Sequence, residues 1–527
     1  MSSLTKRIGQ WVCTLNSGGL HRNRAVVLAT LFCAALLLAV ELSGQQGPFD
    51  GLFSFIPNGT LYPNPLGASR TINVNGGGLD LANPFFQSLG TNGRACITCH
   101  QPSDGMAVSA AHVELRFLTS QGTDPIFRPV DGTVCDHGVD LTTVAGRADA
   151  YRLLRTRGLI RIAIPVPANA DYRVVSVENP YGCNDTATIA AYRRPLPATN
   201  LRFLTAVMID GRESTPLTGT QTIRYDNSPG SLLADLKQQA VDATVGHAQA
   251  AVPPSDDVVT RIANFELGLA TAQVFDRRAG LLSAGGAQGG PQPLVSQPFF
   301  VSMNSSINPL FPQLEQPGGL VTPGDGQFTS DVFTIFQAWA NLPPQDPRAA
   351  VARGEAIFDS KPIHITGVAG LNDPASQGGL APGGVASLNG TCGTCHDTVN
   401  VGDHSYPTPL DIGTGDPDPA NPSVNLGGLD IAYLPRVTVC KLDPASGAVT
   451  ADCKTTSDLG QALIDGKFDH VGKVKGPVLR GLAARAPYFH NGSAATLLDV
   501  VRFYEKRFGW TLTPQEESDL VAFLGSL

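Results

Sequence analysis

The sequence predicts a mainly α chain of two domains with short helices and long loops, plus a small β-containing insertion in the first half. Three observations predict it. The first is a repeated pentad, Cys96-Ile-Thr-Cys99-His100 and Cys392-Gly-Thr-Cys395-His396. At this spacing two cysteine sulfurs form thioethers to one haem while the adjacent imidazole turns onto the iron, the c-type attachment signature. A zinc site or a redox dithiol is the alternative, but zinc would want a second ligand pair near each first pair, and none follows. The second observation is composition. Gly 57 and Pro 40 make up about 18% of 527 residues against a usual total near 12%, and the charged fraction of 16% is low against about 25%. The third is alternation: Ile160-Arg-Ile-Ala-Ile-Pro165 and Tyr172-Arg-Val-Val-Ser-Val177 read as short strands.

The elements follow in order. Residues 1–45 are a signal or anchor, since Lys6, Arg7, Arg22 and Arg24 precede an apolar run from Ala25 to Val40. A cleaved signal and a membrane anchor over residues 25–42 both stand, because the run is long for a signal and short for a span. Either way the remainder is exported, and the expected location is periplasmic. Residues 46–280 form the first cytochrome c-like haem domain, opening on a Gly/Pro/Asn-rich lead-in and carrying the insertion at about 130–198. Helices are expected over Ser231–Ala251 and Asp256–Asp276. Residues 281–346 are a Gly/Pro-rich connection ending in a helix over Asp331–Leu342. Residues 347–527 form the second haem domain, with Arg353–Phe358 on the helix before its pentad. The closing helix starts at a capping box, Thr513-Pro514-Gln515-Glu516, with Leu520, Val521, Leu524 and Leu527 on one face.

Removing the haem cysteines and the leader's Cys13 and Cys33 leaves Cys135, Cys183, Cys440 and Cys453, an even set suited to an oxidising compartment. Proximity pairs Cys135 with Cys183 and Cys440 with Cys453, although three connectivities are open. A formal charge of -8 argues against nucleic acid and permits docking of a basic electron-transfer protein.

Two stretches resemble a family. Asn83–Met106 (NPFFQSLGTNGRACITCHQPSDGM) and above all Lys475–Tyr504 (KGPVLRGLAARAPYFHNGSAATLLDVVRFY) are similar to the bacterial di-haem cytochrome c peroxidases and the MauG group. The resemblance implies two covalently bound haem c groups, a calcium ion between the domains, and a high-potential haem that feeds a low-potential one where hydrogen peroxide is reduced. A small cytochrome c or cupredoxin would be the electron donor.

The last methionine is Met303, so the second domain has none, and another group must stand opposite His396. Leu497, Val500, Val501, Tyr504 and Phe508 form an apolar stripe that buries the Tyr504 ring, and a buried phenol needs a polar partner. The family's ligand methionine stands seventeen residues after the proline of the PYFH segment; here that position, counted from Pro487, is Tyr504, as in MauG. A core tyrosine, His490 and His404 are the alternatives. At the first haem His100 is proximal. Leu236-Lys-Gln-Gln239-Ala240 matches the family's distal-glutamine helix, but ten residues on, where the family has an acid, stands Gln249. His247 then serves as acid/base or as iron ligand, with His112 a second candidate ligand, or both are ordinary hydrogen-bonded histidines. The family's Trp-Asp-Gly-Arg reads Ile209-Asp210-Gly211-Arg212, and Trp339 is the one tryptophan between the pentads. Three readings follow: a periplasmic di-haem peroxidase or MauG-like oxidase, a non-catalytic carrier or redox sensor, and an oxygenase like the related rubber-cleaving proteins.

Overall fold

The computed structural model describes residues 54–135, 138–215, 223–297, 333–396, 400–403 and 409–527. The leader, Met303, His404 and the start of the expected Asp331–Leu342 helix lie outside them. Among the described residues no helix is long and apolar enough to cross a membrane. In chain order the principal elements are β1 (Tyr62–Asn64), β2 (Gly67–Asn73), α1 (Ala110–Ser120), β3 (Ile160–Pro165), β4 (Tyr172–Glu178), β5 (Thr188–Arg193), α2 (Pro229–Gly246) and α3 (Asp256–Gly268). They continue with β6 (Leu269–Asp276), β7 (Gly280–Leu281), α4 (Pro347–Ser360), β8 (Arg436–Leu442), β9 (Val449–Thr456), α5 (Leu497–Phe508) and α6 (Pro514–Gly525). Both pentads lie in one contact unit, Phe53–Leu527.

Helices frame both pentads. Around the first, Phe85, Met106, Ala240, Ile262, Phe265 and Leu269 share one core. Near the second, α4 crosses α6 over Phe336, Trp339, Phe358 and Phe523. Gly354 permits that crossing: a Cβ there would meet the Asp519 carbonyl oxygen at 2.0 Å. Arg353 then closes the pair with two bonds to the Asp519 carboxylate, 2.7 and 2.9 Å. The closing helix is capped as its sequence predicts, Thr513 and Glu516 each accepting from the other's backbone.

Strands occupy more of the chain than an insertion. Part of the lead-in forms β1 and β2, in a four-stranded sheet of order β1-β2-β6-β7. The helix expected over Asp256–Asp276 stops at Gly268, because Leu269–Asp276 pairs antiparallel with β2 from Asn73↔Leu269 to Gly67↔Asp276. The helix expected over Ser231–Ala251 ends at Gly246, a weak helix former. Of the Asp331–Leu342 helix only a 3-10 turn, Gln337–Trp339, appears among the described residues, since Pro343 and Pro344 disfavour helical backbone just before them.

The insertion is not self-contained. β3 pairs with β5, but β4 pairs with β8, which pairs with β9. Cys440 faces Cys453 across the β8–β9 pair, and the structure forms both disulfides, Cys135–Cys183 and Cys440–Cys453. Arg193, at the end of β5, is buried and reaches Asp458 through Nε at 2.6 Å and Nη2 at 2.8 Å, and Asp210 through Nη1. Burial alone would raise the Asp210 carboxyl, but Arg212 and Arg193 outweigh it and hold it far below the ordinary range. Breaking such a pair from one side leaves buried charge uncompensated, at about 3–5 kcal/mol. Arg193→Leu is therefore expected to lower stability by about that much in urea unfolding; a loss below about 1 kcal/mol would mean the knot carries little.

Candidate haem sites

Each pentad folds into the same single turn. Cys96–Thr98 and Cys392–Thr394 are 3-10 segments, and the histidine N–H closes back on the first cysteine's carbonyl, His100 to Cys96 at 3.0 Å and His396 to Cys392 at 2.9 Å. The intervening threonine locks the entry, Thr98 Oγ1 accepting from Ala95 N–H and Thr394 Oγ1 from Thr391 N–H. Arg116 of α1, paired with Asp124, donates to the Thr98 carbonyl. Cys96, Cys99, Cys392 and Cys395 are the free cysteines among the described residues. Burial pushes their thiols up, Cys395 to about 11 and Cys392 to about 12, the reverse of the thiolate that a redox dithiol or a thiolate metal site uses.

The first pentad opens onto a cleft of about 1580 Å³, part of it open to solvent. Cys96, Cys99 and His100 are on its wall. His100 Nδ1 lies 3.1 Å from the Met106 carbonyl, leaving Nε2 to ligate. Burial, helped by the charge of His247, lowers His100 to about 4, so the imidazole is neutral, the ligand form. Gln239 and His247 of the sequence reading both line this cleft, Gln239 on α2 and His247 at its C-cap. His247 Nδ1 is 2.6 Å from Asp131, which also binds Arg94 at 2.7 Å. Burial opposes ionisation of Asp131, but the bond to His247 and the Arg94 guanidinium prevail and hold its carboxyl below the ordinary range. The imidazole is thus oriented by a carboxylate, as acid/base histidines and ligating histidines both are.

Around the second pentad His396 Nε2 faces Tyr504 Oη at 3.4 Å. Burial raises the phenol well above its ordinary value, and Cys395 and Cys392 add to this. α5 starts at Leu497 behind a Thr496–Asp499 capping box, which puts Tyr504 toward His396 with Phe489, Phe503 and Phe508 around it. Phe503, fully buried, is a core member that the stripe reading missed.

A c-type haem fits these surroundings. Lys475 and Arg480 are buried, and Arg194 and Arg485 half-buried, yet among the described residues their side-chain hydrogen bonds go only to backbone carbonyls. Arg480 Nη1 and Arg485 Nε have no hydrogen-bond partner. Burial lowers Lys475 to about 8, Arg480 to about 9 and the other two to about 10. Buried cations that hydrogen-bond no carboxylate among the described residues can take a further anion, and haem propionates are anions of that kind. Lys475 and Arg194 stand on the first cleft itself.

Other sequence candidates fall elsewhere. His112 pairs with Asp104 at 2.5 Å and is not on the cleft wall. Gln249 is exposed, with left-handed backbone at φ 56°. His490 is buried 3.7 Å from Asp458. Ile209 lines the first cleft, and Trp339 is buried on Phe336, donating to the Ala284 carbonyl. Among the described residues no group of three His, Cys, Asp or Glu side chains could hold a metal ion. The sequence reading passed over Asp131 and Glu266, both on the cleft wall.

The two pentads thus fold alike, each a single turn carrying two free cysteines and a histidine. No protein-family model matches the chain. It is 41% identical over 68 residues to the cytochrome-c peroxidase IdrP1 of Denitromonas iodatirespirans, a match covering 11% of this chain and 18% of that protein. Among solved structures it is similar to a MauG-like protein associated with microbial copper homeostasis (15% identity, 84% of this chain, 87% of that one, TM-score 0.28). It is also similar to the hydrazine synthase of Kuenenia stuttgartiensis (16% identity, 64% and 73%, TM-score 0.29); neither likeness is close enough to bear on fold or function. The peroxidase match, on the relative's side less than a fifth of its length, supports the resemblance of this chain to the di-haem cytochrome c peroxidase/MauG family.

A depressed carboxyl contributes stability above its unfolded value and loses it as pH falls through the folded one. Asp131→Asn is thus expected to cost about 1.5–3 kcal/mol at neutral pH, with the gap to wild type shrinking below about pH 4. Thermal midpoints of both proteins from pH 7 to pH 3 measure this, and a gap independent of pH would contradict the assignment.

Proposed function

We propose that this chain is an exported di-haem c-type oxidoreductase that reduces hydrogen peroxide at its first haem with electrons from a small donor protein. It is read as two cytochrome c-like domains, 46–280 and 347–527, with the N-terminal run as signal or anchor. The observation that carries the reading is the convergence of Cys96, Cys99, His100, Gln239 and His247 on one cleft. Bound there, haem supplies the iron at which peroxide is reduced. His100 is its protein ligand, the two thiols its attachment, and Lys475 and Arg194 the partners of its carboxylates. Gln239 offers an amide to a ligand in the cleft. His247, fixed through Nδ1 by Asp131, takes and gives a proton at Nε2. Cys392 and Cys395 would attach the second haem, and His396 and Tyr504 would hold its iron.

One observation favours a carrier instead. Met208 lines the same cleft, its backbone held left-handed at φ 70°, rare for a side chain of this kind, and a thioether ligand would close the first iron.

Stopped-flow mixing with hydrogen peroxide separates the two. A peroxidase reacts, and His247→Ala loses on the order of 10²-fold in rate; a wild-type protein inert in the oxidised, half-reduced and reduced states contradicts the peroxide reading. Tyr504→Phe is expected to change the low-spin spectrum of the second haem and leave the first unaltered. An unchanged spectrum returns Tyr504 to the core.

A further inference from the structure

Glu266 sits on α3 one turn after Ile262, and both side chains line the first cleft. α3 packs along α2, which turns Leu236, Gln239, Ala240, Ala243 and Thr244 to the cleft at helical spacing. The Glu266 carboxyl is therefore on the wall beside the one that carries the distal glutamine. It is 5% exposed, and among the described residues its Oε2 has no hydrogen-bond partner. An unsatisfied buried polar group costs about 1–3 kcal/mol, so such groups are uncommon without a reason.

The other acids around this cleft are spoken for. Asp131 holds Arg94 and His247, and Asp210 holds Arg193 and Arg212. Among the described residues no cation pairs with Glu266, and burial raises it to about 8, which favours the protonated form at neutral pH. Gln249, at the position where the family resemblance puts an acid, is on the surface, its amide oxygen accepting from Asn92.

We propose that Glu266 is the proton donor of the first cleft, giving its proton to the departing oxygen of a peroxide bound there. This rests on the peroxide reading above. The O–O bond of HOOH breaks and two waters form, using two electrons from an external one-electron donor protein and two protons. One proton leaves the Glu266 carboxyl and the other enters from solvent by way of His247. The resulting carboxylate is reprotonated from solvent.

The test uses the haem-loaded protein, with haem content confirmed by mass for every variant. Infrared difference spectra at neutral pH follow the carbonyl stretch of a protonated carboxylic acid before and after cyanide, the probe for a ligand in the cleft. The expected result is a band that cyanide shifts in wild type and that E266Q lacks, with E266Q at least about 10²-fold slower with peroxide and Glu266→Asp recovering part of the rate. A band that cyanide leaves in place, a band kept by E266Q, or an E266Q variant with the wild-type rate overturns the proposal. Wild-type protein that does not react with peroxide overturns the peroxide reading instead; the cyanide shift still reports whether Glu266 faces the ligand, and an unshifted band overturns that as well.

Discussion

A single turn of chain that presents two thiols and an imidazole to a space it does not fill is the constraint on which the rest of this structure depends. The turn is held by its own threonine and by the histidine N–H. α2 and α3 stand back from the first pentad as cleft walls, and Lys475 and Arg194 bring charge to that cleft with side-chain hydrogen bonds, among the described residues, to backbone carbonyls alone. A chain that folded for its own sake would pair such cations or expose them. The arrangement is intelligible as the shell of an anionic macrocycle.

The two sites differ in what faces the histidine. Opposite His396 stands the Tyr504 phenol, enclosed by phenylalanines. The cleft before His100 is bordered by an amide, an oriented imidazole and a neutral carboxyl. On the proposed reading, that asymmetry separates an electron-passing centre from a reactive one. Where the family has an indole this chain has Ile209, and beside it the buried Arg193 knot ties the insertion to Asp210 and Asp458. The β4–β8 pairing strengthens the same connection, so the insertion is a clamp between the halves of the chain.

What the sequence made legible was local. The pentads, both disulfides, and the cap of α6 depend on residues a few positions apart or on the scarcity of cysteine. β3 and β4 were readable from alternation, whereas β6 was hidden because its apolar residues also fit a continuation of α3; pairing with β2, about 200 residues away, decides it. The β8–β9 hairpin had a signal in Arg436-Val-Thr-Val-Cys-Lys-Leu442 and Val449–Thr456, β-branched runs with a cysteine in each. Asp131 and Glu266 gave no signal, since one acid meets His247 across 116 residues of sequence and the other sits on a helix with polar neighbours at other faces. Their roles come from burial and partners, which only the folded chain displays.

Electron paramagnetic resonance of the oxidised, haem-loaded protein, with spins counted per chain, tests the central claim most directly. An open first site and a closed second site predict one high-spin and one low-spin ferric centre in equal amounts. Two low-spin centres, or fewer than two haems per chain, would contradict the account.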